Sequence, residues 1–261
     1  MSVAVVTGAA GGIGAGLARE AAKRGHAVVL ADRDEAGLKE VAATIDGDVL
    51  IVPTNVADDA SVAALAEATY QRHEHVDLLF NNAGILVTGN SWEIPAERWQ
   101  ATLDVNIGGI VNGLRHFVPR MLAADRPARI VNTASIGGFL PAPLMAPYTA
   151  SKFAVVALTE SLAGELMALD SKISVSLLAP GAVDTGIFRE APTAASKDFH
   201  KLMVEMTSVH GISGDELAQR AFAAIDRGEY WIITQPESFD DVFAARNQLI
   251  TNREAPKPLL L

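Results

Sequence analysis

Cysteine is absent from all 261 residues, so neither a disulfide framework nor a thiolate metal site is available to this chain, and no metal is expected. Positive charge is also short. Lys and Arg number 21 against 31 Asp and Glu, a formal net charge of -10. That sign repels polyanions and argues against a nucleic-acid partner or an anionic membrane surface. No uninterrupted apolar run approaches the ~18 residues of a membrane span, and the first residues lack the basic, then apolar, then small-residue succession of a secretory signal. A soluble cytoplasmic protein is the expectation.

What is abundant is apolar sequence, 49% of residues, with a mean hydropathy of +0.22. That suits a parallel sheet covered on both faces and hints at apolar surface closed by self-association. Short β-branched runs at 3–7, 27–31, 49–52, 76–80, 129–133, 173–178 and 230–234 alternate with stretches of helical periodicity. The alternation never breaks, and neither a linker nor a repeat interrupts it. The expected fold is therefore one α/β domain over residues 1–261, a Rossmann-type doubly wound parallel sheet of seven strands with helices on both faces. Residues 95–121 read as one long helix, but Asn106, Gly108 and Gly109 are poor interior residues, which predicts a local distortion there unless the helix itself is misread. Residues 186–211 carry no strong strand and read as a lid beside a site. The tail ending Leu259-Leu260-Leu261 receives no role.

The first strand feeds Gly8-Ala9-Ala10-Gly11-Gly12-Ile13-Gly14, and a helix follows. Glycines there allow a tight turn and the close approach of a pyrophosphate, whose charge the free N–H groups of the helix start would bind. Asp32 ends the second strand eighteen residues after Gly14, near the spacing of a carboxylate on an adenosine ribose. It would accept from both ribose hydroxyls of NAD and repel a 2′-phosphate. Its neighbour Arg33 could cap the adenine or attract that phosphate, and Asp32 could instead be a helix N-cap. The balance favours NAD over NADP. Asn55 and Val56 fall where a strand's carboxyl end meets a ligand, and Asn81-Asn82-Ala83-Gly84 ends the fourth strand with two amides and a glycine, which an ordinary turn would also favour.

Tyr148 and Lys152 are four apart on a helix and so share a face. Two unit charges ~4 Å apart at an effective dielectric of ~20 interact by roughly 4 kcal/mol. At ~1.4 kcal/mol per tenfold change, that would bring the phenol from its ordinary value near ~10 toward roughly 7. Tyr148 could then serve as a general acid or base near neutrality, with Ser135, at the end of the fifth strand, holding a carbonyl oxygen beside it. Taken alone, the pair is better explained as a solvated amphipathic turn, and the catalytic reading depends on the other motifs.

Taken together these motifs resemble the classical short-chain dehydrogenase/reductase family, from the start of the chain to about Thr234. The resemblance rests on Thr7 with Gly8, Gly12 and Gly14; on Asn81-Asn82-Ala83-Gly84; on Asn106, Ser135, Tyr148 and Lys152; and on Pro180-Gly181 with Thr185. It implies that Tyr148 exchanges the proton, Ser135 holds the substrate oxygen, and Lys152 binds the nicotinamide ribose and lowers the Tyr148 pKa. Asn106 would anchor a water relaying protons from Lys152. Thr185 and Val183 would meet the carboxamide, Gly14 and Ile13 the pyrophosphate. Asp32, Asn55, Val56, Asn82, Ala83 and Gly84 would line the adenosine side. Many family members carry Asp where Asn55 stands, although an Asn amide oxygen can still accept. Self-assembly, usually into four subunits, is implied as well, a dimer remaining open.

The expected reaction is hydride transfer between NAD and a secondary alcohol or ketone. Phe139, Leu140, Leu144, Met145, Ile187, Phe188 and Met206 suggest a substrate with a bulky apolar or aromatic part, unless some only pack the lid. The competing readings are an NADPH-dependent ketone reductase of the same family and a non-catalytic dinucleotide sensor.

Overall fold

The parallel strands alternate the direction of their side chains, and two sets of helices divide the two faces between them. In a computed structural model, which describes residues 2–256, seven parallel strands form one sheet. They are β1 (Val3–Thr7), β2 (Ala27–Asp32), β3 (Val49–Pro53), β4 (Leu78–Asn81), β5 (Ala128–Thr133), β6 (Ile173–Ala179) and β7 (Trp231–Ile233). Their order is β3-β2-β1-β4-β5-β6-β7, so the chain begins in the middle of the sheet and reverses direction between β1 and β4.

Ala4 and Val6 of β1 face α1 (Gly12–Lys23), α2 (Glu35–Ala42) and α8 (Gly214–Asp226), packing with Leu17, Leu38 and Phe222. Val3 and Val5 face the other way, toward α3 (Asp59–Arg72), α5 (Gly109–Ala123) and α6 (Ala146–Ala168), with Leu65, Phe117 and Leu162. The near-continuous apolar strands of the sequence are thus buried on both sides. No helix among the described residues is long and apolar enough to cross a membrane.

The region expected to be one long helix is three pieces. The first is α4 (Ala96–Leu103); a π-helical turn over Asp104–Gly108 follows; then α5 continues to Ala123. The distortion centres on buried Asn106, whose side chain bonds outside the helix. Beyond it, Gly109 and Gly113 bring α5 close to the sheet, a Cβ at the latter colliding with Asn81 Oδ1.

Residues 186–211 form two short 3-10 turns and α7 (Lys197–His210). They are tied to the body through Thr88, which accepts from Ser196 Oγ at 3.1 Å, and through Arg98, which donates to the Ala191 carbonyl at 2.7 Å. The segment after β7, given no role in the sequence reading, is a seventeen-residue helix, α9 (Pro236–Asn252). The terminal leucines 259–261 lie outside the described residues.

Helices α1 and α8 cross through glycine. A Cβ on Gly16 would run into the Gly214 carbonyl, and one on Gly214 into the Gly12 carbonyl. Overpacking of this kind costs about 1–3 kcal/mol. Gly16→Ala should therefore lower the thermal midpoint by several degrees, read by circular dichroism; an unchanged midpoint would mean that the two helices separate freely.

Candidate active site

Parallel strands end together at one edge of the sheet, where their last polar groups have no further strand to pair with. Here side chains take over. Thr7 Oγ1 donates to the Phe80 carbonyl at 3.2 Å and accepts from the N–H groups of Asn82 and Ala83 at 2.9 and 3.2 Å. The Asn82 amide donates to the Thr7 carbonyl at 3.0 Å and accepts from Thr133 Oγ1 at 3.3 Å. The carboxyl ends of β1, β4 and β5 are thereby locked in register beneath a cleft.

The glycine turn opens directly onto that cleft. Gly8 and Gly12 take φ of 71° and 53°, left-handed values that disfavour a side chain. A Cβ on Gly12 would stand 2.9 Å from Thr185 Cγ2, and one on Gly14 would collide with the Gly8 carbonyl. Only bare backbone fits between β1, the start of α1 and the loop after β6. The first N–H groups of α1 are left for a ligand, since a helix start has no internal acceptors for them.

Asp32 stands at one end of the cleft, its two oxygens accepting from the N–H groups of Ala10 and Asp34 at 3.2 and 3.0 Å. It does not cap α2: Asp34 does, accepting from Gly37 at 3.0 Å. Arg33 is exposed beside it. Asn55 closes an Asx turn, its amide oxygen accepting from Ala57 at 3.2 Å, so one of its two lone pairs is already in use.

At the other end, β5 delivers Ser135 and the first turns of α6 deliver Tyr148 and Lys152, all three buried. Ser135 Oγ accepts from Gly137 N–H at 3.1 Å and stands beside the Tyr148 ring, both within 3.5 Å of where a Cβ on Gly137 would be. Lys152 Nζ donates to the Thr133 carbonyl at 2.8 Å and lies 5.7 Å from the Tyr148 ring centroid. Asn106 stands behind this group. It accepts from Ile85 N–H at 2.8 Å and donates to the Ile85 carbonyl at 3.0 Å and Ser151 Oγ at 2.9 Å, while Ser151 donates to the Tyr148 carbonyl at 2.7 Å. The π-helical turn thus fastens α6 to the strand edge.

The titration of the phenol differs from the sequence expectation. Burial pushes Tyr148 up, and the Ser135 hydroxyl opposes that without the cation bringing it to neutrality. The ammonium faces the Thr133 carbonyl and is itself desolvated, which pushes Lys152 down to about 8. Spacing places the two groups on one face but does not reveal how little water reaches them.

The cleft has a volume of about 580 Å³. Gly8, Gly12, Ile13, Gly14, Asp32, Arg33, Asn55, Val56, Asn82, Ala83, Gly84, Pro180, Gly181, Val183 and Thr185 all line it, as do Ser135, Tyr148 and Lys152. Asn106 does not. Of the residues expected around a substrate, Leu140, Met145, Ile187, Phe188 and Met206 line it too. Phe139 instead packs on Trp231 and Phe243, with ring centroids 5.8 and 5.4 Å away, and Leu144 turns at φ 61° to accept from Gly89 N–H. Sequence reasoning missed Phe239 and Val242 of α9, which also line the cleft. An apolar helical face in the tail was the available signal.

The sheet order, with a crevice where it reverses, defines a Rossmann-type doubly wound α/β protein. More narrowly, the chain belongs to the short chain dehydrogenase family, whose profile matches residues 2–196. A crystal structure of a short chain dehydrogenase/reductase from Burkholderia phymatum in complex with NAD superposes with a TM-score of 0.96 at 35% identity, covering 100% of this chain and 98% of that one. Among curated relatives, 1-deoxy-11-beta-hydroxypentalenate dehydrogenase of Streptomyces avermitilis is 35% identical over 98% of this chain and 96% of its own. The CLA biosynthesis dehydrogenase/reductase of Lactiplantibacillus plantarum is 31% identical over 97% and 94%. The chain is accordingly an oxidoreductase of that family.

The depressed Lys152 pKa has a thermodynamic consequence. The unfolded chain binds this proton below its ordinary 10.5, the folded one only below about 8, so between those values the unfolded state holds more protons and stability falls as pH falls. Below about 8 the penalty is complete. In Lys152→Met it is removed, at a pH-independent loss of the Thr133 bond. Between pH 10.5 and 8 the unfolding free energy of the variant relative to wild type should rise by up to about 3 kcal/mol, then level, in denaturant titrations. A difference that stays constant with pH would contradict the buried cation.

Proposed function

We propose that the protein is an NAD(H)-dependent alcohol dehydrogenase or ketone reductase. Its substrate is a secondary alcohol, or the matching ketone, bearing a bulky apolar or aromatic group. The observation that carries this reading is that one cleft joins a bare-glycine helix start and a ribose-height carboxylate to a buried group of Ser135, Tyr148 and Lys152. NAD in the Burkholderia relative, and the hydroxylated compound in the name of the Streptomyces one, support it.

The residues fit a dinucleotide. Gly8, Gly12 and Gly14 leave the volume that side chains would fill, with Ile13 beside them for the pyrophosphate, and Asp32 offers acceptors to the adenosine ribose. Lys152 spends one of its three hydrogens on Thr133, leaving two for ribose hydroxyls. Val183 and Thr185, on the loop after β6, would hold the carboxamide. When bound, the nicotinamide supplies or takes the hydride.

Ser135 donates a hydrogen bond to the substrate oxygen. Tyr148 gives that oxygen a proton in reduction and takes one in oxidation. A phenol pushed up by burial is fully protonated at neutral pH and ready for the first task; for the second it must lose its proton, which alkaline pH favours. Asn106 keeps α6 and the Gly84–Ile85 backbone at fixed separation, and would anchor the relay water. Residues 186–211 cover the substrate end as a lid, with Ile187, Phe188 and Met206 against the apolar part. The exposed Met167 and Leu169 at the end of α6 support assembly with further copies.

A panel of secondary alcohols with NAD, followed by the absorbance of the reduced cofactor and repeated with NADP, tests the reading; no turnover across the panel with either cofactor would refute it. Oxidation kcat/KM should climb from pH 7 to pH 10, while reduction does not climb. Tyr148→Phe should lose about 10²- to 10⁴-fold in turnover together with that climb. A variant keeping most of its rate would remove Tyr148 from the mechanism.

The NADPH-dependent reading is kept by one observation, the exposed Arg33 cation lining the cleft beside Asp32. Asp32→Ala should shift the ratio of kcat/KM for NAD over NADP by about tenfold or more toward NADP, the scale of one charged hydrogen-bond partner. A wild-type enzyme already faster with NADP, and a variant no different, would favour that second reading.

A further inference from the structure

The loop after β6, Pro180–Thr185, lies between two clamps. On one side the Pro180 carbonyl accepts from Ile136 N–H at 3.0 Å and from Ser135 Oγ at 3.5 Å. On the other stands Gln235, at the junction of β7 and α9 and only 7% exposed. Its Oε1 accepts from Gly181 N–H at 2.9 Å and from Thr234 Oγ1 at 2.6 Å; its Nε2 donates to the Ala182 carbonyl at 2.7 Å. One primary amide therefore satisfies a donor and an acceptor of two consecutive residues, a function no apolar side chain of the same size can perform.

The same junction carries the cleft wall. Phe239, one turn further along α9, lies so close over Gly181 that a Cβ there would stand 2.5 Å from its Cε2, and it lines the cleft together with Val242. Thr234 is held in turn by Arg220 of α8, which donates to its carbonyl at 2.7 Å. The C-terminal part of the chain thus shares in setting the position of the loop, together with Ile212, whose N–H donates to the Ala182 carbonyl at 3.2 Å and whose carbonyl accepts from Asp184 N–H at 2.9 Å.

We infer that Gln235 is a positioning residue for the nicotinamide half of the cofactor: its amide holds the Gly181–Ala182 backbone at the height where Val183 and Thr185 meet the carboxamide, and α9 forms the adjoining wall. The inference rests on the nicotinamide reading above. It assigns to the C-terminal segment a part in seating the nicotinamide, which the glycine turn and Asp32, at the other end of the cleft, do not share.

The test uses NADH and ADP-ribose, which share everything except the nicotinamide and the bond to it. Gln235→Leu leaves the Gly181 N–H unpaired and the Ala182 carbonyl with the Ile212 N–H alone, at 3.2 Å. It should weaken NADH binding by about tenfold in calorimetry, the scale of one orphaned buried donor, and leave ADP-ribose within about twofold of wild type. Gln235→Glu provides a second reading if the leucine variant does not fold. As a carboxylate it accepts from Gly181 but cannot donate to Ala182, so at pH 8 its NADH affinity relative to ADP-ribose should fall below the wild-type ratio. Equal loss for both ligands would reduce Gln235 to a structural contact, and no loss for either would remove it from the site; both outcomes overturn the inference while leaving the nicotinamide reading standing. Wild-type protein that binds ADP-ribose and not NADH would overturn that reading and this inference together.

Discussion

The bond from the Lys152 ammonium to the Thr133 carbonyl is the contact on which the site depends. It ends β5, anchors the first turns of α6, and keeps a cation where almost no water reaches. Such a group is expensive to hold charged, and one carbonyl compensates only in part, as its lowered pKa records. The surrounding structure supplies the rest of the restraint. Asn106 braces Ser151, Ser151 braces Tyr148, and Asn82 braces Thr7 and Thr133. A buried cation tolerates little slack, and its bond to Thr133 joins these two groups of hydrogen bonds, one on the α6 side and one on the strand side.

How legible this was in the sequence depends on the range of the physics involved. The glycine turn could be read because its demands are local: positive φ at Gly8 and Gly12 and bare backbone at Gly14 follow from contacts within one strand–turn–helix unit and its nearest neighbours. The seven strands were legible because burial on both faces leaves unbroken apolar runs. Asn106 announced the distortion in its helix through poor propensity, although not its kind, since a π-helical turn is stabilised by Ile85 and Ser151 rather than by its own residues. The phenol titration was misjudged for a related reason. Residue spacing conveys the distance between charges, whereas desolvation depends on everything packed around them.

Orientation was the other hidden quantity. Phe139 and Leu144 sit in the expected loop, yet one turns toward Trp231 and the other takes a left-handed conformation, so neither reaches the cleft. The two roles open to Asp32 are divided: Asp32 faces the crevice, as expected, and Asp34 starts the helix. Gln235 was invisible because a lone amide after a strand has no pattern; its meaning comes from Gly181 and Ala182, more than fifty residues earlier.

The order of strands in the sheet also sets an order in time. β1 is central, and its partners β2 and β4 follow within the first third of the chain, so the glycine turn and its strand neighbours exist long before translation ends. The wall formed by Gln235, Phe239 and Val242 follows the glycine turn by more than two hundred residues. A chain still emerging from the ribosome therefore holds all the residues of its glycine turn well before those of the opposite side of the crevice have been synthesised.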